Sequence, residues 1–280
     1  GFLCISKVAE LDASRFGSEY VFQRFDNPVK LRESFFDEPI SYRYVDGRNA
    51  FYVIDRRPDV HGILRIARPQ RWSLVERVQG SHLMPLIAHA RGKAWAAIVG
   101  TSRDIQIVTP LGPEIRWHRN RWQYLNLETF RAFLARFMAN RDVADTLLQL
   151  IFFLSVTRTG TLILVPEGKT RPRYVGGFDE QRVEGMIGQT IQGARLEQFA
   201  TGASMFGVFG SDGVVVVTPD GIVETAGRIV ELDTQNLRVA GGGRTQAALS
   251  CSQLGLAVKV SEDGPISLFH KGKLILRTNG

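Results

Sequence analysis

Two short runs of unbroken apolar residues, Thr161–Val165 (TLILV) and Val214–Thr218 (VVVVT), constrain the fold of this chain more than any other feature. A strand with one wet face alternates apolar and polar positions. A run without alternation reads as a strand covered on both faces, so it needs layers above and below a sheet. Turn signals surround these runs. Pro219-Asp220-Gly221 is a tight turn, with a returning strand from Ile222. Ala257–Val260 and Ile266–Phe269 are strands joined by Glu262-Asp263-Gly264-Pro265, and Lys271-Gly272-Lys273 turns into Leu274–Leu276. Glu180–Gln198, with glycine interruptions, and the stretch after Gly241-Gly242-Gly243 read as helices. Hairpins mixed with helices predict an α/β fold with a mixed central β-sheet flanked by helices.

Upstream the pattern is shorter and more broken. Phe51–Ile54, the run Ile63, Leu64 and Ile66, Lys93–Gly100 and Ile105–Thr109 read as short strands, and Ser81–Arg91 as a helix broken near Pro85. Asn126 is an N-cap candidate for a helix carrying Phe130, Phe133, Leu134, Phe137 and Met138 at helical spacing. A second helix follows Asn140-Arg141-Asp142 and carries Val143, Leu147, Leu148, Ile151 and Phe152. These features predict two domains: residues 1–125, a smaller α+β unit, and residues 126–280, the α/β unit.

Composition excludes several classes. Hydrophobic residues make up 44% and charged residues 22% of the 280 positions, which rules out disorder and collagen-like or mucin-like chains. Two cysteines, Cys4 and Cys251, make no disulfide framework or zinc site, and a cytoplasmic setting is expected. The longest apolar stretch, Leu147–Val156, is interrupted by Gln149 and is shorter than the roughly 20 residues of a membrane span. No membrane segment is therefore predicted. The chain opens on Gly1 rather than methionine, which suggests processing or truncation. The net charge of +7 is unevenly placed: residues 1–140 hold 21 Lys and Arg against 14 Asp and Glu, and residues 141–280 hold 14 of each.

In the basic half, Arg56, Arg57, Arg65, Arg68, Arg71 and Arg77 fall in one stretch. Arg116, Arg119 and Arg121 alternate with Trp117, His118 and Trp122 in another. Such alternation suits single-stranded nucleic acid. It equally suits cation–π packing on a β-surface or an acidic protein partner. Nucleic acid is the weaker reading, because no helix-turn-helix or zinc-finger pattern accompanies it.

Two constellations in the neutral half could carry chemistry. Gly241-Gly242-Gly243 followed by Arg244 and a helix is either a surface loop or an anion site, where backbone N–H groups and a forked guanidinium would meet phosphate. Asp212-Gly213, before the VVVV run, is either a solvated turn or a carboxylate placed to hold a divalent cation or take a hydroxyl proton. The nucleophile-elbow and zinc-protease templates fail, and Cys251 reads as a buried hydrophobe.

In order along the chain, residues 140–280 resemble the diadenylate cyclase domain family. Arg158-Thr159-Gly160-Thr161-Leu162-Ile163-Leu164-Val165 is similar to the family's opening strand, and Ser211-Asp212-Gly213-Val214 to its Asp-Gly-Ala motif. Pro219–Gly227 is similar to the hairpin that follows. Gly242-Gly243-Arg244-Thr245-Gln246-Ala247-Ala248 falls where the family has Gly-Thr-Arg-His-Arg-Ala-Ala. Val260–Ser267 resembles its Val-Ser-Glu-Glu motif, and Gly272-Lys273-Leu274 its Gly-Lys-Leu. The resemblance implies ATP bound with magnesium or manganese. Two domains would face each other in a homo-oligomer, and the two ATP would condense into cyclic di-AMP and pyrophosphate. It implies that Asp212 serves as catalytic and metal-binding residue, while Gly213, Gly242, Gly243, Arg244, Thr245 and Gln246 bind the nucleotide and its phosphates. Thr245 stands in place of the family's histidine, Gln246 of its second arginine and Gln253 of a glutamate. Two readings therefore stay open: a divergent cyclase, or a silent module sensing ATP or a cyclic dinucleotide. Residues 1–125 resemble the sensor modules that precede divergent cyclase domains.

Overall fold

The computed structural model describes residues 1–5, 20–32, 35, 37, 44–47, 49–67, 83, 87, 94–99, 104–110, 112–118, 120–176, 188–199, 204–231 and 242–278. The fold is mixed α/β, with a mixed sheet in each of two compact units, Gly1–Leu125 and Asn126–Gly280.

The first unit holds β1 (Phe2–Ile5), β2 (Tyr20–Lys30), β3 (Ala50–Ile54), β4 (Asp59–Ile66), β5 (Ala94–Val99), β6 (Ile105–Thr109), β7 (Gly112–His118) and β8 (Arg121–Tyr124). Their order is β2-β4-β3-β1-β5-β6-β7-β8, with β1 and β3 parallel and the other pairs antiparallel. Alternation splits the core across the sheet. Leu3, Phe51, Val53 and Leu64 gather in one cluster, and Cys4, Tyr52, Ile54 and Val60 in another. The helix expected over Ser81–Arg91 lies outside the described residues, except for buried Leu83 and Ile87.

The arginine–aromatic alternation folds as the β7–β8 hairpin, with Trp117 against Trp122 at 5.2 Å between ring centroids. Arg116 is removed from any nucleic-acid surface. It is 1% exposed, and its guanidinium donates to the Asp104 carboxylate, itself 4% exposed. A cation out of water needs a paired carboxylate, and this one has it. Arg68, Arg71, Arg77 and Arg119 lie outside the described residues.

The second unit runs α1 (Leu127–Leu134), α2 (Arg141–Val156), β9 (Thr161–Pro166), β10 (Tyr174–Gly176), α3 (Leu196–Phe199), α4 (Ser204–Phe209), β11 (Val214–Val217), β12 (Val223–Val230), α5 (Gly243–Cys251), β13 (Gly255–Val260), β14 (Ile266–His270) and β15 (Lys273–Arg277). The Asn126 side chain accepts from Thr129 N–H and that of Asn140 from Val143 N–H, each at 3.0 Å. The first helix stops sooner than its apolar spacing predicts. Asn140 caps α2 in an extended conformation, and Ala139 N–H donates to the Pro219 carbonyl, so Phe137 and Met138 lie in turns. Of the helix expected over Glu180–Gln198, residues 180–187 lie outside the described residues. The remainder is broken at Gly193, whose N–H donates to the Val223 carbonyl.

The seven strands order as β10-β12-β11-β9-β13-β14-β15, with β9 and β11 parallel and the others antiparallel. Both apolar runs occupy the centre, and Thr161–Pro166 and Val214–Val217 are buried throughout. Leu162, Leu164, Val214, Val216 and Ala257 pack with Ala248, Leu249 and Cys251 of α5. The alternate residues Ile163, Val165, Val215, Val217 and Val258 point to the other face and are equally buried. α2 lies against β13 and β14, and the Ser155 hydroxyl donates to the Gly264 carbonyl.

Candidate functional site

The parallel strands β9 and β11 start side by side, and each is preceded by a glycine that sets local geometry. Gly213 has φ of +115°, and a Cβ there would lie 2.7 Å from the Arg228 carbonyl oxygen on β12. This position takes glycine for both conformation and space. A Cβ on Gly160 would fall 2.5 Å from Arg244 Nη1 and 2.7 Å from Glu262 Cγ. The glycine of Arg158-Thr159-Gly160 thus makes room for a pair of side chains brought from α5 and the β13–β14 turn.

That pair is the polar anchor of the site. Arg244 Nη1 donates to Glu262 Oε1 at 2.6 Å, and Arg244 Nη2 lies 3.8 Å from Asp212 Oδ1. Asp212 is 94% exposed at its side chain and Arg244 32%. Residues separated by some thirty positions therefore meet at one cleft of about 250 Å³, which Asp212, Gly213, Gly243 and Arg244 line together with Leu162 and Val214. Gly242 is the N-cap of α5, and a Cβ on Gly242 or Gly243 would have open space around it. Thr245 and Gln246, in the first turn of α5, are not among the lining residues. The Thr245 hydroxyl instead accepts from Lys259 Nζ at 2.7 Å. Gln253 follows the C-terminal end of α5, where its side chain sits beside Gly272, so it belongs to the opposite end of the helix.

The sheet below the cleft carries a row of paired positions. Reading across the strands, Arg228 opposes Val214, Val214 opposes Leu162, Leu162 opposes Lys259, Lys259 opposes Ser267 and Ser267 opposes Arg277. Directly opposed residues share a face, so Arg228, Lys259 and Arg277 lie on the face that α5 covers. Burial holds the Lys259 ammonium below the ordinary lysine range. Nearby Arg277 adds to this, and Asp263 works against it. Burial pushes the Cys251 thiol up to about 12, which makes it an inert core group.

Among the described residues no three His, Cys, Asp or Glu side chains converge on a metal position. Among the described residues lining the cleft, Asp212 is the one carboxylate, and it fits a cation only where phosphates complete the ion's shell. Sequence reasoning gave no role to Lys259 or Arg228 and left Glu262 inside a motif without a task. A lone lysine in the otherwise apolar strand Gly255–Val260 was the available signal.

No protein-family model matches the chain, and no curated protein matches it in sequence. Among solved structures it is similar to a hypothetical membrane-spanning protein from Bacillus cereus, at 18% identity with a TM-score of 0.40, covering 56% of this chain and 72% of that one. It is also similar to a double mutant of DacA from Staphylococcus aureus, at 19% identity with a TM-score of 0.35, covering 50% of this chain and 87% of that one. Among the described residues no helix is long and apolar enough to cross a membrane.

Proposed function

We propose that the unit Asn126–Gly280 is a nucleotide-binding domain of the diadenylate-cyclase kind that holds ATP in the cleft between β11 and the start of α5. The observation that carries this is the meeting of Asp212-Gly213 with Gly243-Arg244. These are two of the six segments that resemble the family, and they come together at one cleft from separate elements. Apolar Leu162, Val214 and Ala247 offer a surface for base and sugar, and Arg244 offers a forked cation for phosphate. Glu262 holds that fork in place over Gly160. Asp212 would hold magnesium or manganese jointly with the phosphates, and the ion would offset charge gathering at the α-phosphate.

In an active protein two such domains would face each other. The 3′-hydroxyl oxygen of each ATP would bond to the α-phosphorus of the other. The α–β bridging bond would break, pyrophosphate would leave and the hydroxyl proton would pass to a base, giving cyclic di-AMP. A second reading, a binding module without turnover, is favoured by the turning of Thr245 toward Lys259 and by Gln246 lying off the cleft. Residues 1–125 would then act as the sensory or reporting partner of that module. Incubation with ATP and manganese, analysed for cyclic di-AMP and pyrophosphate, separates the two. Product that disappears in Asp212→Asn establishes the cyclase. Saturable ATP binding without product establishes the binding module, and neither product nor binding would refute both.

A further inference from the structure

We infer that Lys259 is a binding residue for the polyphosphate of the nucleotide, replacing across the sheet the positive charge that Gln246 does not supply from the helix; this rests on the nucleotide reading above. Lys259 lies on β13, directly opposite Leu162 of β9, and Leu162 lines the cleft. Its ammonium is held 2.7 Å from the Thr245 hydroxyl, one residue from Arg244. An ammonium has three N–H donors, and the Thr245 bond uses one of them.

The surroundings favour an anion there. Burial, Arg277 and Arg244 all disfavour the charged lysine, and Asp263 is the acid that favours it. A phosphate brought into the cleft supplies the missing negative charge, and its bonds to a partly buried ammonium are of the charge-assisted kind.

Charge is also unequal along the row. Within the row Arg228 is the cation of β12, whereas Lys259 of β13 and Arg277 of β15 stand near one another, with Arg244 of α5 also near Lys259. Strands spaced about 4.8 Å apart put Lys259 and Arg277, two strands apart, roughly 10 Å from one another, a length that a triphosphate can follow. The phosphate chain therefore runs from the apolar centre of the cleft toward β13. Lys259 meets the phosphates beyond the first, so it discriminates a triphosphate from a monophosphate.

Equilibrium titration of the full chain with ATP and with AMP tests this, in the unaltered protein and in Lys259→Met and Lys259→Arg. Methionine keeps the unbranched stem and removes the charge. Loss of one charge-assisted contact predicts ATP binding weaker by about 10- to 100-fold in Lys259→Met. AMP binding should change by less than about threefold, and Lys259→Arg should restore most of the ATP affinity. Unchanged ATP affinity in Lys259→Met, or equal losses for ATP and AMP that arginine does not rescue, would overturn the inference and leave the nucleotide site standing. Failure of the unaltered protein to bind either nucleotide would overturn the nucleotide reading and this inference together.

Discussion

Each of the two sheets carries a row of polar side chains across its strands, and the two rows have opposite fates. In the first unit Gln106 opposes Arg116 and Arg116 opposes Gln123, and all three are buried, with the guanidinium charge met by Asp104. In the second unit the row carries Arg228, which lines a cleft, and Lys259 and Arg277, which stand near one another. A cation on a sheet is structural where a buried carboxylate neutralises it and water is excluded. It is available to a ligand where it is partly solvated and its closest neighbours include like charges. Cation count therefore says little about function here: residues 1–140 hold the whole excess of +7, yet one arginine among them, Arg116, is sealed inside the sheet.

The largest effect should come from breaking the sealed pair. Arg116→Met leaves Asp104 buried without its partner and should cost about 3–5 kcal/mol of stability in chemical denaturation. Adding Asp104→Leu should recover most of it. A small cost for the single variant would mean that this row is not structural. Next is Gly213→Ala, where a methyl would meet the β12 backbone at 2.7 Å and the residue would keep a φ of +115°. We expect about 1–3 kcal/mol of destabilisation by thermal unfolding, together with a distorted cleft. A fully stable variant that keeps nucleotide affinity would remove this glycine from the site.

A further effect concerns the core packed under α5 and is absent at neutral pH, showing only under alkaline conditions. The folded thiol of Cys251 has its pKa raised to about 12 from an ordinary 9.0. Folding therefore binds this proton more tightly, and the corresponding stability is complete below pH 9 and is lost between about pH 9 and 12. Comparing unfolding free energies of the unaltered protein and Cys251→Ala across that window should show a shallower decline in the variant. Parallel declines would mean that the thiol is not buried as described.

Much of the second unit was legible because local signals and tertiary demands agree. Unbroken apolar runs became central strands, Pro219-Asp220-Gly221 became a turn, and Asn126 became a cap. Glycines before a helix were legible as well, although their own positions turned out sterically open and Gly160 proved the crowded one. What the chain's order could not convey was register. Lys259 stands beside the cleft-lining Leu162 only because β13 pairs with β9 in this register, and Gln253 is far from Arg244 only because it follows the other end of α5. Burial was equally hidden, since Arg116 and Arg121 look alike in a basic stretch, while one is 1% exposed and the other faces solvent.

If the cleft beside the open row binds a nucleotide as proposed, Arg244 is needed for affinity and not for the fold, the reverse of Arg116. Titration of ATP with magnesium into the unaltered protein and into Arg244→Ala, with thermal unfolding measured on both, tests it most directly. Saturable binding should weaken at least about tenfold in Arg244→Ala, with only a small change in unfolding temperature because its partner Glu262 is 71% exposed. Equal ATP affinity in the two proteins, or no binding by the unaltered one, would contradict it.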